Sequence, residues 1–112
     1  ALLRLKPRPD GVFCYNDPTA MGAMTAILED GLRIPEDVAI IGCGNVHYAS
    51  VLRVPLSSID QRCELLGADA AKLALALIEG NHEGCPPKTI LLEPTLVARA
   101  SSLRNAALHA AH

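Results

Sequence analysis

Gly11-Val12-Phe13-Cys14-Tyr15, then Asn16-Asp17-Pro18, then Val38-Ala39-Ile40-Ile41-Gly42 are the stretches whose reading decides the fold. The first is a short apolar run bounded by Pro9-Asp10 and Asn16-Asp17-Pro18, and it reads as a buried strand. Asp17 before Pro18 signals a helix start, because a carboxylate accepts from unpaired first-turn amides while proline supplies the helical φ without needing a donor. The predicted helix runs to Glu29 or Asp30. Ala20, Met24, Ile27 and Leu28 share one face, and Gly31 provides a left-handed C-terminal cap. Residues 32–37 connect to the second run, which is again short and β-branched. Neither run alternates with polar residues, so both are predicted to be buried on two faces, in a parallel sheet covered by helices. Strand, helix and strand over this span form a βαβ unit, and the fold class is α/β.

Further along, Val46 to Leu52 contains a helical turn, Pro55 breaks it, and Leu56-Ser57-Ser58-Ile59 is a weaker third strand. A long helix opens at Asp60 or Gln61 and runs to Glu79, where Gly80-Asn81-His82-Glu83-Gly84 stops it. Cys63, Leu66, Ala70, Leu73 and Leu77 form its apolar stripe. Leu65, Ala68, Ala71, Leu75 and Ile78 lie off that stripe, so the helix wants cover on most sides. Thr89-Ile90-Leu91-Leu92 and Leu96-Val97-Ala98 are two more strand candidates, and the alanine-rich tail from Ser101 is expected to fray.

The chain has 112 residues, half of them hydrophobic, which suffices for one aliphatic core. A formal charge of −2 gives none of the electrostatic footprint that a phosphate backbone attracts, so this piece alone is not expected to bind nucleic acid. No apolar run is long enough to span a bilayer and the first residues lack a signal-peptide layout, which makes a soluble intracellular protein the expectation. Cys14, Cys43, Cys63 and Cys85 include no C-x-x-C pair and no histidine stands at finger-like spacing, so neither zinc nor another cofactor is expected.

In an open parallel sheet, ligands bind beyond the carboxyl ends of the strands. Asn16 and Asp17 follow the first strand, residues 43–47 follow the second, and Asp60 and Gln61 follow the third. Asn16 offers both donor and acceptor capacity to a hydroxyl or amide ligand, or else closes a strand-to-helix turn. Asp17 reads as a helix cap or as a ligand contact. Gly42-Cys43-Gly44 lacks the continuation of a phosphate loop. Cys43 or Asp17 with His47 could be drawn as a reacting pair, but no nucleophile elbow or metal-ligand spacing accompanies it, and no catalytic residue is expected.

Three ordered segments resemble the C-terminal half of the effector domain of LacI/GalR-type transcription regulators: Pro9-Asp10-Gly11-Val12-Phe13, residues 16–23 from Asn16-Asp17-Pro18, and residues 31–42 from Gly31-Leu32-Arg33. Val54-Pro55-Leu56-Ser57-Ser58-Ile59-Asp60-Gln61, Leu66-Gly67 with Ala70, and Leu96-Val97-Ala98-Arg99-Ala100-Ser101 continue the match in the same order, so it covers residues 9–102. The resemblance implies a periplasmic-binding-protein-like fold of two α/β lobes with a small effector, often a sugar or a purine, between them. An N-terminal helix-turn-helix would read operator DNA, and this sequence does not encode it. The present chain would form a three-layer, parallel-sheet part of that domain, not an enzyme, in a cytoplasmic regulator with no membrane contact. The implied division is a lead-in at 1–10, the βαβ unit and third strand at 11–60, a helix for the other lobe at 61–84, returning strands at 85–102 and a tail at 103–112.

Carried over by position, the resemblance implies ligand contacts from Asn16, Asp17, Gly44, Asn45 and His47. Many members place an aspartate where this chain has Gly44, and an aromatic where it has Cys43. Glycine cannot supply the carboxylate that favours polyols, so either Asn45 or His47 substitutes or the ligand is not an ordinary sugar. The family's homodimer surface falls on Ala20, Met21 and Met24 in the first helix and on Val51 and Leu52. The alternative is the C-terminal lobe of a periplasmic-type sugar- or solute-binding protein, which a signal peptide upstream would favour over a helix-turn-helix.

Overall fold

The computed structural model describes residues 1–80 and 87–104. Three parallel strands, β1 (Gly11–Phe13), β2 (Ala39–Cys43) and β3 (Ser57–Asp60), are joined at one edge by an antiparallel β4 (Thr95–Val97), in the order β1-β2-β3-β4. Val12 pairs with Ile40, Gly42 with Ser58, and Ile59 with Leu96. Helix α1 (Asp17–Glu29) connects β1 to β2, and α2 (Cys63–Ile78) follows β3. The α/β class and the βαβ unit are as expected from the strand runs; the antiparallel edge makes the sheet mixed.

Local chemistry sets the ends of α1. Asn16, not Asp17, is the N-cap: its side chain accepts from Thr19 N at 2.9 Å, and Pro18 sits in the first turn where no donor is required. Gly31, at φ +77°, closes the other end, with Leu32 N donating to Ile27 O and Gly31 N to Leu28 O, the paired bonds of a Schellman cap. Between these ends Ala20, Met24 and Ile27 turn inward and pack with Cys14, Ile34, Val38, Ile40, Ala49 and Leu56. A single 3-10 turn, Ala49–Val51, occupies the expected helical turn before Pro55.

Two expectations about the sheet are corrected. The first concerns cover on both faces: Gly42 faces α1, so strand alternation and register put Phe13, Ile41, Cys43, Ile59 and Leu96 on the opposite face. There Phe13 is 67% exposed and Leu96 53%. Helix α2 does not cover that face, because none of its sixteen residues is buried. Its Leu66, Ala70 and Leu73 instead line a cleft with Ile90 and Leu92. Second, residues 89–92 are not a strand, since no neighbouring strand pairs with them among the described residues.

For residues 101–104 the expected fraying is also overturned. Ser101 is fully buried; its Oγ accepts from Ser57 N and donates to Ile40 O, while its own backbone bonds Ile40 N and Pro55 O. Arg104 then reaches Pro35 O and Asp10 O. The chain leaving β4 is thus stitched under β2 and β3. The residues at 81–86, with Cys85 and most of the expected helix stop, and those at 105–112 lie outside the described set.

Candidate functional site

Asp17 is the pivot of the strand ends. It is completely buried at the first turn of α1, where the helix dipole favours negative charge, and both carboxylate oxygens are engaged: Oδ1 accepts from Ser58 Oγ at 2.6 Å and Oδ2 from Val46 N at 2.8 Å. The direct ligand contact expected of Asp17 is therefore corrected to a structural one. Gly42 makes this approach possible. A Cβ at Gly42 would collide with the Asp17 carboxylate, so the glycine that resembles part of a phosphate loop is there to admit a buried carboxylate.

The first three backbone donors of the loop after β2 are engaged within the chain. Gly44 N donates to Ile59 O, Asn45 N to Ser58 Oγ, and Val46 N to Asp17 Oδ2. Gly44 has φ +118° and Asn45 φ +50°; the left-handed region suits glycine, and asparagine tolerates it. An aspartate at position 44 would be strained by the backbone itself, so the departure from the family's carboxylate is built into this loop's conformation.

Asn45 is held from two sides. Its Oδ1 accepts from Arg99 Nη2 at 2.7 Å, and its Nδ2 donates to Asp60 Oδ2 at 3.2 Å. Asp60 Oδ1 accepts in turn from Arg62 N at 2.7 Å. That backbone donor first, and the Asn45 amide second, hold the Asp60 carboxyl below the ordinary carboxylate value of 3.8.

A cavity of about 460 Å³ opens beside these groups, lined by Gly44, Asn45, Asp60, Arg62, Cys63, Glu64 and Leu65. It brings Gly44 and Asn45 together with Asp60 and Arg62, on the sheet edge where loops after β2 and β3 meet. Asn16 and His47 do not line it. Asn16 is half-buried with its Oδ1 on Thr19 N, and His47 is exposed, its ring stacked edge-on against Tyr48 at 5.2 Å. Sequence reasoning puts Asp60 on this edge but misses Arg62, Ser58 and Arg99. Arg62 has φ +56°, a conformation its residue type does not announce, and the other two lie far along the chain from their partners.

The expected homodimer residues divide. Ala20 is fully buried and Met24 is 6% exposed, so both belong to the core, held there by the inward face of α1. Val51 is 78% exposed, whereas Met21 and Leu52 are half-buried and line a groove of about 150 Å³ with Met24, Thr25, Leu28, Arg53 and Val54, so Met24 is at once a core residue and the floor of that groove.

Known proteins share this fold. A family model described as a periplasmic binding protein-like domain matches residues 1–102. The HTH-type transcriptional repressor PurR of Actinobacillus pleuropneumoniae serotype 3 is 39% identical over 100 residues, covering 89% of this chain and 30% of that protein. Among solved structures, a transcriptional regulator CelR–cellobiose complex superposes with a TM-score of 0.81 at 33% identity, over 89% of this chain and 30% of the other. A lac repressor dimer bound to operator and the anti-inducer ONPF gives 0.75 at 34% identity, over 86% and 28%. The chain thus spans about 30% of the length of these three proteins, each of them named as a repressor or transcriptional regulator. By the family match over residues 1–102 and the likeness to these regulators in sequence and fold, the chain belongs to the periplasmic binding protein-like domain family, in the form found in the effector-binding domain of LacI/GalR-type regulators.

Proposed function

We propose that this chain senses a small polar metabolite for a cytoplasmic transcription regulator, as the C-terminal part of its effector-binding domain. The observation that carries the reading is the cavity at the ends of β2 and β3, where Asn45, Asp60 and Arg62 present amide, carboxylate and guanidinium groups together. Such a set recognises hydroxyl and amide groups through paired donors and acceptors. Asn16 and His47 stand outside this lining, and in this reading they meet only the part of a ligand that extends beyond the cavity. Gly44 supplies shape and no charge, which favours a ligand without the polyol pattern that a carboxylate there selects.

The uncovered α2 supports a first lobe as the missing layer: Leu66, Leu75, Leu77 and Ile78 are 56–80% exposed, and burying each such side chain contributes about 1.5–3 kcal/mol. In this reading 11–60 with the returning β4 forms one lobe, 61–84 and residues 89–92 belong to the other, and operator DNA is read by a helix-turn-helix outside this sequence. The groove between Met21 and Leu52, with exposed Val51 beside it, is the proposed homodimer contact. Repressor names among the relatives favour this regulator over a periplasmic solute-binding protein.

Calorimetry on the regulator containing this chain tests the site with cellobiose, ribose and purine bases as probes. The expected result is binding of one probe class, weakened about tenfold or more by Asn45→Gly and Arg62→Ala with the fold retained. Binding unaffected by both substitutions would place the effector elsewhere.

A further inference from the structure

Arg99, on the segment leaving β4, does not itself line the cavity, yet it makes two directed bonds: Nη1 to Leu56 O at 2.7 Å and Nη2 to Oδ1 of the lining residue Asn45 at 2.7 Å. A planar guanidinium sets the distance and angle between two such acceptors, which a lysine cannot do. Its hydrogen bond fixes which way the Asn45 amide lies, with oxygen toward Arg99 and nitrogen toward Asp60. Reversing the amide would set donor against donor at Arg99 and acceptor against acceptor at Asp60.

The Asp60 carboxylate thereby joins the two left-handed, non-glycine residues among those described. Asn45 (φ +50°) donates to Oδ2 through its side chain, and Arg62 (φ +56°) donates to Oδ1 through its backbone. One of these residues shapes the loop after β2. The other directs the chain from β3 into α2. Each conformation is unfavourable for an L-residue, and the shared carboxylate is the feature that holds both.

We propose that Arg99 is a positioning residue of this cavity: by orienting the Asn45 amide it locks the loop after β2 and the exit from β3 into one unit, setting the donor and acceptor pattern that Asn45, Asp60 and Arg62 offer a hydroxyl- or amide-bearing ligand. The assignment of a ligand to this cavity rests on the proposed function; the positioning does not. Arg99 acts through Asn45, and the charged groups around Asp60 are Arg62 and Glu64 on the cavity wall and Arg99 behind the amide.

The test follows the Asp60 carboxyl titration by NMR in the ligand-free chain and in Asn45→Gly, Arg99→Met and the double variant. Glycine at 45 keeps the left-handed backbone while removing the amide. Positioning through Asn45 makes each single substitution raise the Asp60 midpoint toward 3.8, with the double variant no higher than Asn45→Gly alone. A second readout, hydrogen exchange of the Asn45 side-chain amide, accelerates about tenfold in Arg99→Met. A full Arg99→Met shift persisting in the Asn45→Gly background would reduce Arg99 to a nearby charge, and no shift at Asp60 would reduce it to a prop for Leu56; either overturns the proposal. Should Arg99→Met fail to fold, Arg99→Lys keeps the charge and loses the fork, so a raised midpoint supports positioning and an unchanged one refutes it. Because no ligand is present, failure here leaves the ligand reading intact, whereas failed effector binding with the expected Asp60 response refutes the ligand reading alone.

Discussion

Removing the Asp17 carboxylate should cost more than any cap or surface change in this chain, and the cost should be coupled to a glycine on the neighbouring strand. Asp17→Ala removes two bonds from donors that stay buried, Val46 N and Ser58 Oγ. Hydrogen bonds to a charged group are worth about 1.5–3 kcal/mol each, and release of the carboxylate from its buried site returns part of that. The net expected loss is about 3 kcal/mol. Gly42→Ala alone drives a methyl into the same carboxylate and should cost about 1–3 kcal/mol as overpacking.

In the double variant the clash is largely gone, because the methyl at 42 enters the space that Asp17 vacates, although the Asp17 Cα, 3.2 Å from the new Cβ, keeps the fit tight. The two losses should therefore fall short of additivity by about 1–2 kcal/mol. Urea unfolding followed by far-ultraviolet circular dichroism measures all four corners. With a slope of about 1.5 kcal/mol per molar urea, Asp17→Ala lowers the midpoint by about 2 M. Additive losses, or an Asp17→Ala variant as stable as the parent chain, would refute the idea that Gly42 exists to admit a buried carboxylate.

Ser101→Ala should destabilise by about 1–2 kcal/mol in the same assay, since it leaves Ser57 N and Ile40 O short of a partner in a buried position; a neutral result would mean the segment after β4 is not held as described. Asp37, bonded by the Arg33 side chain and backbone, should titrate at about 2. Its pKa is depressed on folding, so its contribution to stability is present above the ordinary value of 3.8 and is lost as pH falls through about 2. Arg33→Gln should move the NMR midpoint back up, and an unmoved midpoint would remove the ion pair as its cause. Leu52→Lys should lower the sedimentation mass if the Met21–Leu52 groove holds a second copy, and an unchanged mass would discard that contact.

How far the sequence reveals this molecule depends on the range of each interaction. The helix α1 was legible because its signals are local: Asn16-Asp17-Pro18 at one end, Gly31 at the other, and an apolar face between them. Even so, the cap moved by one residue, because two adjacent side chains could both accept, and only tertiary partners decide which turns inward. The strand runs were legible as strands but not as to which faces are covered, since Phe13 reads the same whether a layer lies over it or not.

The site was the least legible part, and for one physical reason. Asp17 meets Ser58 across 41 positions and Arg99 meets Asn45 across 54, so neither bond leaves a spacing that periodicity can detect. What sequence does record is the permissive residue at each crossing, Gly42 where a carboxylate passes and Gly44 where the loop turns left-handed. Both glycines sit in a run that superficially resembles a phosphate loop, yet the three amides that follow are spent on Ile59, Ser58 and Asp17. With those three amides consumed, the donors that line the cavity from this loop come from side chains. That makes the orientation of one amide, at Asn45, the variable on which the chemistry of this cavity turns.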